Sequence, residues 1–489
     1  MVRNLDSEKL QQDSQTSQPG FIQMKKFHFV ILLFVMVFLS AGITAFALTF
    51  GDEKAVAVKS EREEFSKLYA AFDSIKSSYY KDVDDIALIN GAIDGMVEAL
   101  GDPYSDYMNE EEAESFYQGI SSSFEGIGAE IGKKGKDIVI VAPLKGSPAE
   151  KAGLKPDDKI LSVDGKNLQG MSTTEAVKLI RGKKGTKVTL EIERPGVDGS
   201  FTLTIVRDEI PIRTVYGELG EDGIAVVQIT SFAQNTANEL KQTLNDFKEK
   251  GMRGLVIDLR QNPGGILTQA EEISSLFVPE GKIIYKIENR LGKIKEVRSG
   301  KSEKYDIPLV VVIDKGSASA SEIFAAAVRE SAGVPLVGER TFGKGTAQRG
   351  YEFEDGSYLK FTTEKWLTPQ GNWVHNKGIT PDYEVSLPDY AHLSIINPDE
   401  EWKIGTSSAQ VKSAQQMLKV LGFDTGREDG FFDEQTKKAV KKFQKSVDLE
   451  ADGILTGETS QKLMEKIREK IEENDTQLQK AIEILKENI

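Results

Sequence analysis

Apolar and polar positions follow several different rhythms along this chain. From Phe27 to Phe50 the residues are apolar almost without interruption, and none is Asp, Glu, Lys or Arg. At 1.5 Å per residue, a helix of that length spans a hydrocarbon core of about 30 Å. A polar, Gln/Ser-rich leader, 1–26, precedes it and ends in Met24-Lys25-Lys26. The lysine pair places this leader in the cytoplasm as a tail and the chain from about Gly51 outside. Ala45-Phe46-Ala47 also has the small-x-small form of a signal-peptidase site, so a cleaved signal is the alternative. The length of the run and of the leader favour an uncleaved single-pass anchor over 27–50.

Beyond the apolar run the rhythm becomes helical over 51–118. Phe65, Leu68, Phe72 and Ile75 recur at three and four. A second helix is expected from about Ile86 to Leu100, stopped by Gly101-Asp102-Pro103. Both helices read as scaffold or as a dimer contact. Over 119–207 the runs shorten to strand length, as in Ile138–Val141 and Val188–Ile192, and Asp164-Gly165 marks a hairpin-type turn. Ser172-Thr173-Thr174-Glu175 is a capping box for a helix reaching about Arg181. Within 208–395, Leu255–Leu259 (but for Asp258) and Pro308–Ile313 are apolar runs, and each precedes a Gly-rich turn and a helical pattern. Such βα units indicate an α/β core. Residues 406–468 carry a separate helical pattern, and 469–489 read as a polar helix ending the chain.

Composition narrows the chemistry. With 489 residues, 39% hydrophobic and 28% charged, the chain has material for two to four domains. Lys+Arg is 62 and Asp+Glu 77, a net charge of −15, which speaks against nucleic acid as a partner. The absence of cysteine excludes disulfides, a Cys nucleophile and thiolate metal sites. The three histidines are His28, His375 and His392. Neither His375 nor His392 has a motif-like setting, so hydrolytic chemistry needs another base. No metal or cofactor is expected.

Two segments supply candidate chemistry. Lys315-Gly316-Ser317-Ala318-Ser319-Ala320-Ser321-Glu322 follows an apolar strand and opens a helix. A helix amino terminus offers unpaired N–H groups and a positive dipole end to a developing oxyanion. The residues alone leave Ser317, Ser319 and Ser321 open as nucleophile. The second segment is Phe342-Gly343-Lys344-Gly345-Thr346-Ala347-Gln348. An ordinary lysine, with pKa about 10.4, is roughly 0.04% neutral at pH 7. A lysine base must therefore be desolvated, and Phe342 is the expected apolar cover. Gln348 would hold the neutral amine if the stretch were helical.

Three resemblances join these pieces. Residues 119–207 resemble the PDZ domain of bacterial proteases, through Phe124–Ile131, Gly146-Ser147-Pro148-Ala149 and Asp157–Gly165. The resemblance makes Gly126, Ile127 and Gly128 a carboxylate-binding loop, and a peptide would add as a strand beside it. Arg181 is the candidate link between peptide occupancy and the active site. From about 75 to 395 the chain resembles the C-terminal processing peptidases. Their nucleophile lies in S-A-S-E and their lysine base in F-G-K-G, 25 residues later. This implies a crotonase-like core with an inserted PDZ domain, Ser319 as nucleophile, Lys344 as base and Gln348 as its support. Asp258–Gly265 resembles the family's L-R-x-N-x-G-G turn, so the N–H groups of Gly265 and Ala320 are candidates for the oxyanion hole. Residues 406–468 resemble a small three-helix peptidoglycan-binding domain, through Asp429-Gly430-Phe431, Asp452-Gly453 and Phe443-Gln444.

The expected protein is a serine endopeptidase of the cell membrane with its catalytic part extracytoplasmic. Its partners would be substrate C-termini, the membrane, peptidoglycan and a second copy in a homodimer. The competing readings are an acyl-CoA enzyme of the crotonase type and a wall-tethered PDZ adaptor with a dead core.

Overall fold

The structure, a computed structural model, describes residues 25–28, 30–38, 63–121 and 123–489. Helix α1 covers 26–38, position 29 aside, and its side chains from Phe27 to Phe38 include a run of exposed large apolar groups. Among the described residues no helix is long and apolar enough to cross a membrane. The rest of the expected anchor, 39–50, lies outside the described residues, as do most of the leader and 51–62.

The chain divides into two compact units, Met1–Leu88 and Ile89–Ile489. In the first, α2 (Ser66–Ser78) carries the expected stripe, and none of its residues is buried. Helix α3 (Asp85–Glu98) begins here and ends before Gly101, whose φ of +63° suits the reversal.

The second unit continues with β1 (Asp106–Met108) and α4 (Glu110–Ile120), which is capped by reciprocal Asn109–Glu112 bonds. Next come β2 (Ser123–Gly126), β3 (Ala129–Lys134), β4 (Asp137–Pro143), the short α5 (Pro148–Lys151), β5 (Lys159–Val163), β6 (Lys166–Asn167), α6 (Thr173–Ile180), β7 (Lys187–Glu193), β8 (Ser200–Val206) and β9 (Asp208–Pro211). Strands β3-β4-β5-β7-β8 form an antiparallel sheet with β6 beside β5, and β2 pairs with β9. Alternate residues, such as Val188, Leu190 and Ile192, point into one small core closed by Ala176 and Ile180 of α6. Ser172 and Glu175 cap α6 as expected.

The largest core surrounds β10 (Val215–Leu219), β11 (Ile224–Ile229), α7 (Thr236–Glu249), β12 (Gly254–Asp258), α8 (Leu267–Phe277), β13 (Ile283–Asn289), β14 (Ile294–Arg298), β15 (Leu309–Ile313), α9 (Ala320–Ala332) and β16 (Leu336–Gly338). Then follow β17 (Thr346–Glu352), β18 (Tyr358–Leu367) and β19 (Tyr383–Glu384). One sheet runs β10-β11-β12-β15-β16-β19, parallel except at β10. The other runs β1-β18-β13-β14, with β17 also on β18.

The central strands β12, β15 and β16 are buried on both faces, which is why they are apolar but for Asp258 at the end of β12. Leu255, Ile257, Val311 and Ile313 meet α7, α8 and α9. Val256, Val310 and Val312 point the other way.

What covers that second face corrects the reading of the last residues. After α10 (Ala409–Val420) and α11 (Glu434–Ser446), α12 runs Gly457–Glu473 and α13 runs Thr476–Lys486. The expected polar helix has an apolar side, which α13 buries. Its Ala481, Ile484 and Leu485 pack on the sheet, and burial of the two larger side chains contributes about 3–6 kcal/mol. Its amino-terminal Asp475 accepts from Arg260 Nη2 at 2.7 Å, and Arg260 also donates to Asp258 at 2.7 Å. The C-terminal helix thereby clamps the turn that follows β12.

Helices α10, α11 and α12 enclose a core of their own. Two buried glutamines organise its Asp-Gly loops in the same way. Gln415 accepts from Gly430 N and donates to Phe431 O. Gln444 accepts from Gly453 N and donates to Ile454 O.

Candidate active site

Strand β15 delivers the chain to a turn, 314–318, from which α9 rises. Ser319 stands at the helix amino terminus with φ +54° and ψ −113°, a conformation that costs a non-glycine residue energy. The surroundings enforce it. Gly264, at φ +101°, lies so close that a Cβ there would be 2.9 Å from Ser319 Cβ and 2.7 Å from Ala318 O. The three serines differ sharply in what they do. Ser317 is fully buried, donates to Leu259 O at 2.8 Å and accepts from Asp314 N at 3.0 Å. Ser321 is fully buried and donates to Asn262 O at 2.9 Å. Ser319 alone of the three lines a cavity of about 310 Å³.

Lys344 lines the same cavity, as do Gly265, Ala320 and Gln348. No hydrogen bond among the described residues engages the backbone N–H of Gly265 or Ala320. Two indoles hold the lysine's main chain. Trp366 Nε1 donates to Lys344 O at 2.7 Å and Trp373 Nε1 to Gly345 O at 2.8 Å. The flanking glycines are required by close packing. A Cβ on Gly343 would lie 2.8 Å from Gly378 N, and one on Gly345 2.7 Å from His375 N.

Glu322 ties the two segments together. Its carboxylate is fully buried and accepts from Ser319 N (2.9 Å), Lys344 N (2.8 Å), Gly343 N (2.7 Å) and Thr341 Oγ1 (2.6 Å). Four donors satisfy the acceptor capacity of one carboxylate. In sequence Glu322 was visible only as part of the serine run. Its place three residues after a Ser at a helix start is the capping-box signal that could have drawn attention.

The amine of Lys344 sits 4.9 Å from the centroid of the Tyr104 ring. Burial pushes its pKa below the ordinary lysine value and the like charge of Lys360 adds to this, while Asp102 and Glu322 oppose it. Two expectations about this amine are corrected. Phe342 does not cover it, because that side chain is 57% exposed. Gln348 is not on a helix but on β17, next to a register shift. Its amide donates to Thr346 Oγ1 and Thr362 Oγ1, each at 3.1 Å. Among the described residues no hydrogen bond joins Lys344 Nζ to Ser319 or to Gln348. The cover comes instead from Tyr104, in the turn that the sequence marked only as a helix stop.

A second cleft lies between α4 and the small sheet domain. It is lined by Ile131, Thr173, Val177 and Arg181 on one side and by Glu111, Glu114 and Gln118 on the other. The expected carboxylate loop does not line this cleft: Ile127 is buried, and Gly128 has φ +73° with no room for a Cβ against Ser147. No described hydrogen bond engages the N–H of Ile127 or Gly128. Gly126 ends β2. Arg181 donates to Gln118 Oε1 at 2.8 Å, and its guanidinium lies over Phe124, 4.9 Å from the ring centroid.

The chain is 47% identical over 470 residues to the carboxy-terminal processing protease CtpA of Bacillus subtilis (strain 168), covering 96% of this chain and 99% of that protein. Residues 223–385 match the model of Peptidase family S41. The chain belongs to peptidase family S41. It is a serine-type, carboxy-terminal processing peptidase. The peptidase is also 42% identical to CtpB of the same organism, over 87% of this chain and 90% of that one. A probable CtpA-like serine protease of Staphylococcus saprophyticus is 38% identical over 96% of each chain. Among solved structures, the photosystem II D1 C-terminal processing protease matches 67% of this chain and 95% of its own, with 28% identity and a TM-score of 0.40. Residues 44–112 match the N-terminal domain of the activating protease CtpB, 139–194 a PDZ domain and 407–463 a putative peptidoglycan-binding domain.

Proposed function

We propose that the peptidase cleaves by a Ser/Lys mechanism in which Ser319 is the nucleophile and Lys344 the general base. The observation that carries this reading is the sharing of one cavity by Ser319, Lys344 and two unpaired backbone N–H groups, while Ser317 and Ser321 are engaged in buried bonds. Lys344, neutral, takes the proton of Ser319 as its oxygen attacks the peptide carbonyl. The N–H groups of Gly265 and Ala320 receive the oxyanion. The lysine then gives the proton to the leaving amine, and an acyl-enzyme remains. Water attacks the ester with Lys344 again as base, which frees the new carboxylate and Ser319. Gln348 supports the neutral amine once its amide turns from Thr346 and Thr362. No metal or cofactor takes part.

The second cleft serves recognition. The N–H groups of Ile127 and Gly128, which follow Gly126 at the end of β2, hold a substrate's terminal carboxylate. The peptide lies between β3 and α6, and Arg181 reports its presence by exchanging Gln118 for the ligand. The core is of crotonase-like type. The run 27–50 anchors the protein as a single span with the catalytic part extracytoplasmic, and 407–463 holds peptidoglycan. The open apolar stripe of α2 supports a homodimer.

Full-length protein incubated with an unfolded protein substrate, beside S319A and K344A, tests the reading. Cleavage by the parent and loss in both variants is expected. Cleavage that survives S319A would overturn the nucleophile, and cleavage that survives K344A would overturn the base.

A further inference from the structure

The Lys344 amine meets an aromatic face, and that face discriminates between its two protonation states. Tyr104 lies in the turn 101–105, where Asp102 accepts from Tyr104 N (3.2 Å) and Ser105 Oγ (2.6 Å). Ser105 Oγ in turn accepts from Thr362 N of β18 at 3.1 Å, so the turn is fastened to the sheet that walls the cavity. The ring of Tyr104 packs edge-on against His375 at 6.1 Å, and His375 stacks on Trp373 at 5.0 Å and 14°. Trp373 is the indole that holds Gly345. The position of Tyr104 is therefore built into the same frame that holds the main chain of the lysine.

A ring face attracts an ammonium ion and gives a neutral amine almost nothing. The Tyr104 contact thus favours the form of Lys344 that cannot act as a base. The other charged groups facing the amine are Asp102 on the same turn, Glu322 on α9 and Lys360 on β18, while His375 meets the Tyr104 ring. Lys360 is itself seated over Phe116, 5.0 Å from the ring centroid, and 3.8 Å from Asp106 Oδ2. Burial and nearby acids push the Tyr104 phenol above its ordinary pKa, so this residue offers its ring as a neutral face and not as a phenolate.

We propose that Tyr104 is a positioning residue that receives the protonated side chain of Lys344 between turnovers and thereby sets the pH at which the lysine becomes available to Ser319. The proposal rests on the Ser/Lys reading. In the free enzyme the amine leaves the ring on losing its proton to solvent and swings to Ser319, and it returns to the ring when solvent protonates it again.

The test is kcat/KM against pH for full-length parent, Y104F and Y104L. Phenylalanine keeps the face, so Y104F should keep the acid limb of the parent. Leucine keeps an apolar cover without the face, so the Y104L limb should move to lower pH by about 0.4–1.5 units. A Y104L limb at the parent's position, or at higher pH, overturns the proposal. Pentafluorophenylalanine at position 104 keeps the ring's shape and reverses its polarity, so it answers the same question if leucine unfolds the turn. It too should move the limb to lower pH, and an unmoved limb counts against the proposal. Activity retained in K344A would instead remove the Ser/Lys reading beneath it.

Discussion

The two halves of the cleft are held in different ways. On the serine side everything is fixed. Ser319 keeps a strained backbone because Gly264 packs against it and Glu322 accepts its N–H, and its neighbours Ser317 and Ser321 are bonded into the scaffold. On the lysine side the main chain is equally fixed, by Glu322, Trp366 and Trp373. The amine is not. It has a ring beneath it and no hydrogen bond to its proposed partners. The proposed nucleophile is thus set by geometry and the proposed base by environment, and under that reading the adjustable parts of the site are one long side chain and Gln348.

The comparison can be broken first at its foundation. Arg260 joins Asp258 and Asp475 with little solvent around any of the three. Arg260→Ala leaves the buried Asp258 and the largely buried Asp475 without their counter-ion and should lower stability by about 3–5 kcal/mol, as chemical denaturation would show. Unchanged stability would mean that α13 does not fasten the turn after β12. Gly264→Ala aims at the serine side alone. Its Cβ would lie 2.9 Å from Ala320 N, so kcat should fall by about 10²-fold or more while the fold melts as a cooperative unit. Full activity would show that the serine frame yields.

The lysine side should respond in the opposite sense. The folded-state pKa of Lys344 is lowered, so the unfolded chain binds the extra proton and stability rises with pH as the folded pKa is passed, up to the ordinary value near 10.4. Lys344→Met removes that penalty. It should abolish cleavage yet raise the melting temperature at pH 7 by about 1–3 °C, with the gain shrinking toward alkaline pH. A lower melting temperature at pH 7 would contradict a desolvated amine. Phe342→Ala should do least. The exposed ring predicts a stability change within about 0.5 kcal/mol and an unmoved acid limb of kcat/KM, and a shifted limb would restore Phe342 as the cover.

What could be read from sequence follows the same division. The βα units, the capping box at Ser172 and the small antiparallel domain were legible because hydrophobic period and cap chemistry are local. The serine run and the Gly-flanked lysine stood out because their residue types are unusual where they fall. Their surroundings did not, because they come from far along the chain. Tyr104 reaches Lys344 across more than 200 positions of sequence, and no local pattern announces that. The helical condition attached to Gln348 is not met, because its stretch pairs as a strand with β18. The last helix was misjudged on its charged face, although Leu478, Ala481 and Leu485 recur at helical spacing and mark the side that covers the sheet.

The most direct test of the central claim is chemical. Full-length protein would be treated with a fluorophosphonate that traps activated serines, and the modified residue located by peptide mass spectrometry. A single adduct on Ser319, formed more slowly in K344A and faster as pH rises through the acid limb, is the predicted result. An adduct on Ser317 or Ser321, or labelling of Ser319 that ignores both Lys344 and pH, would contradict the account.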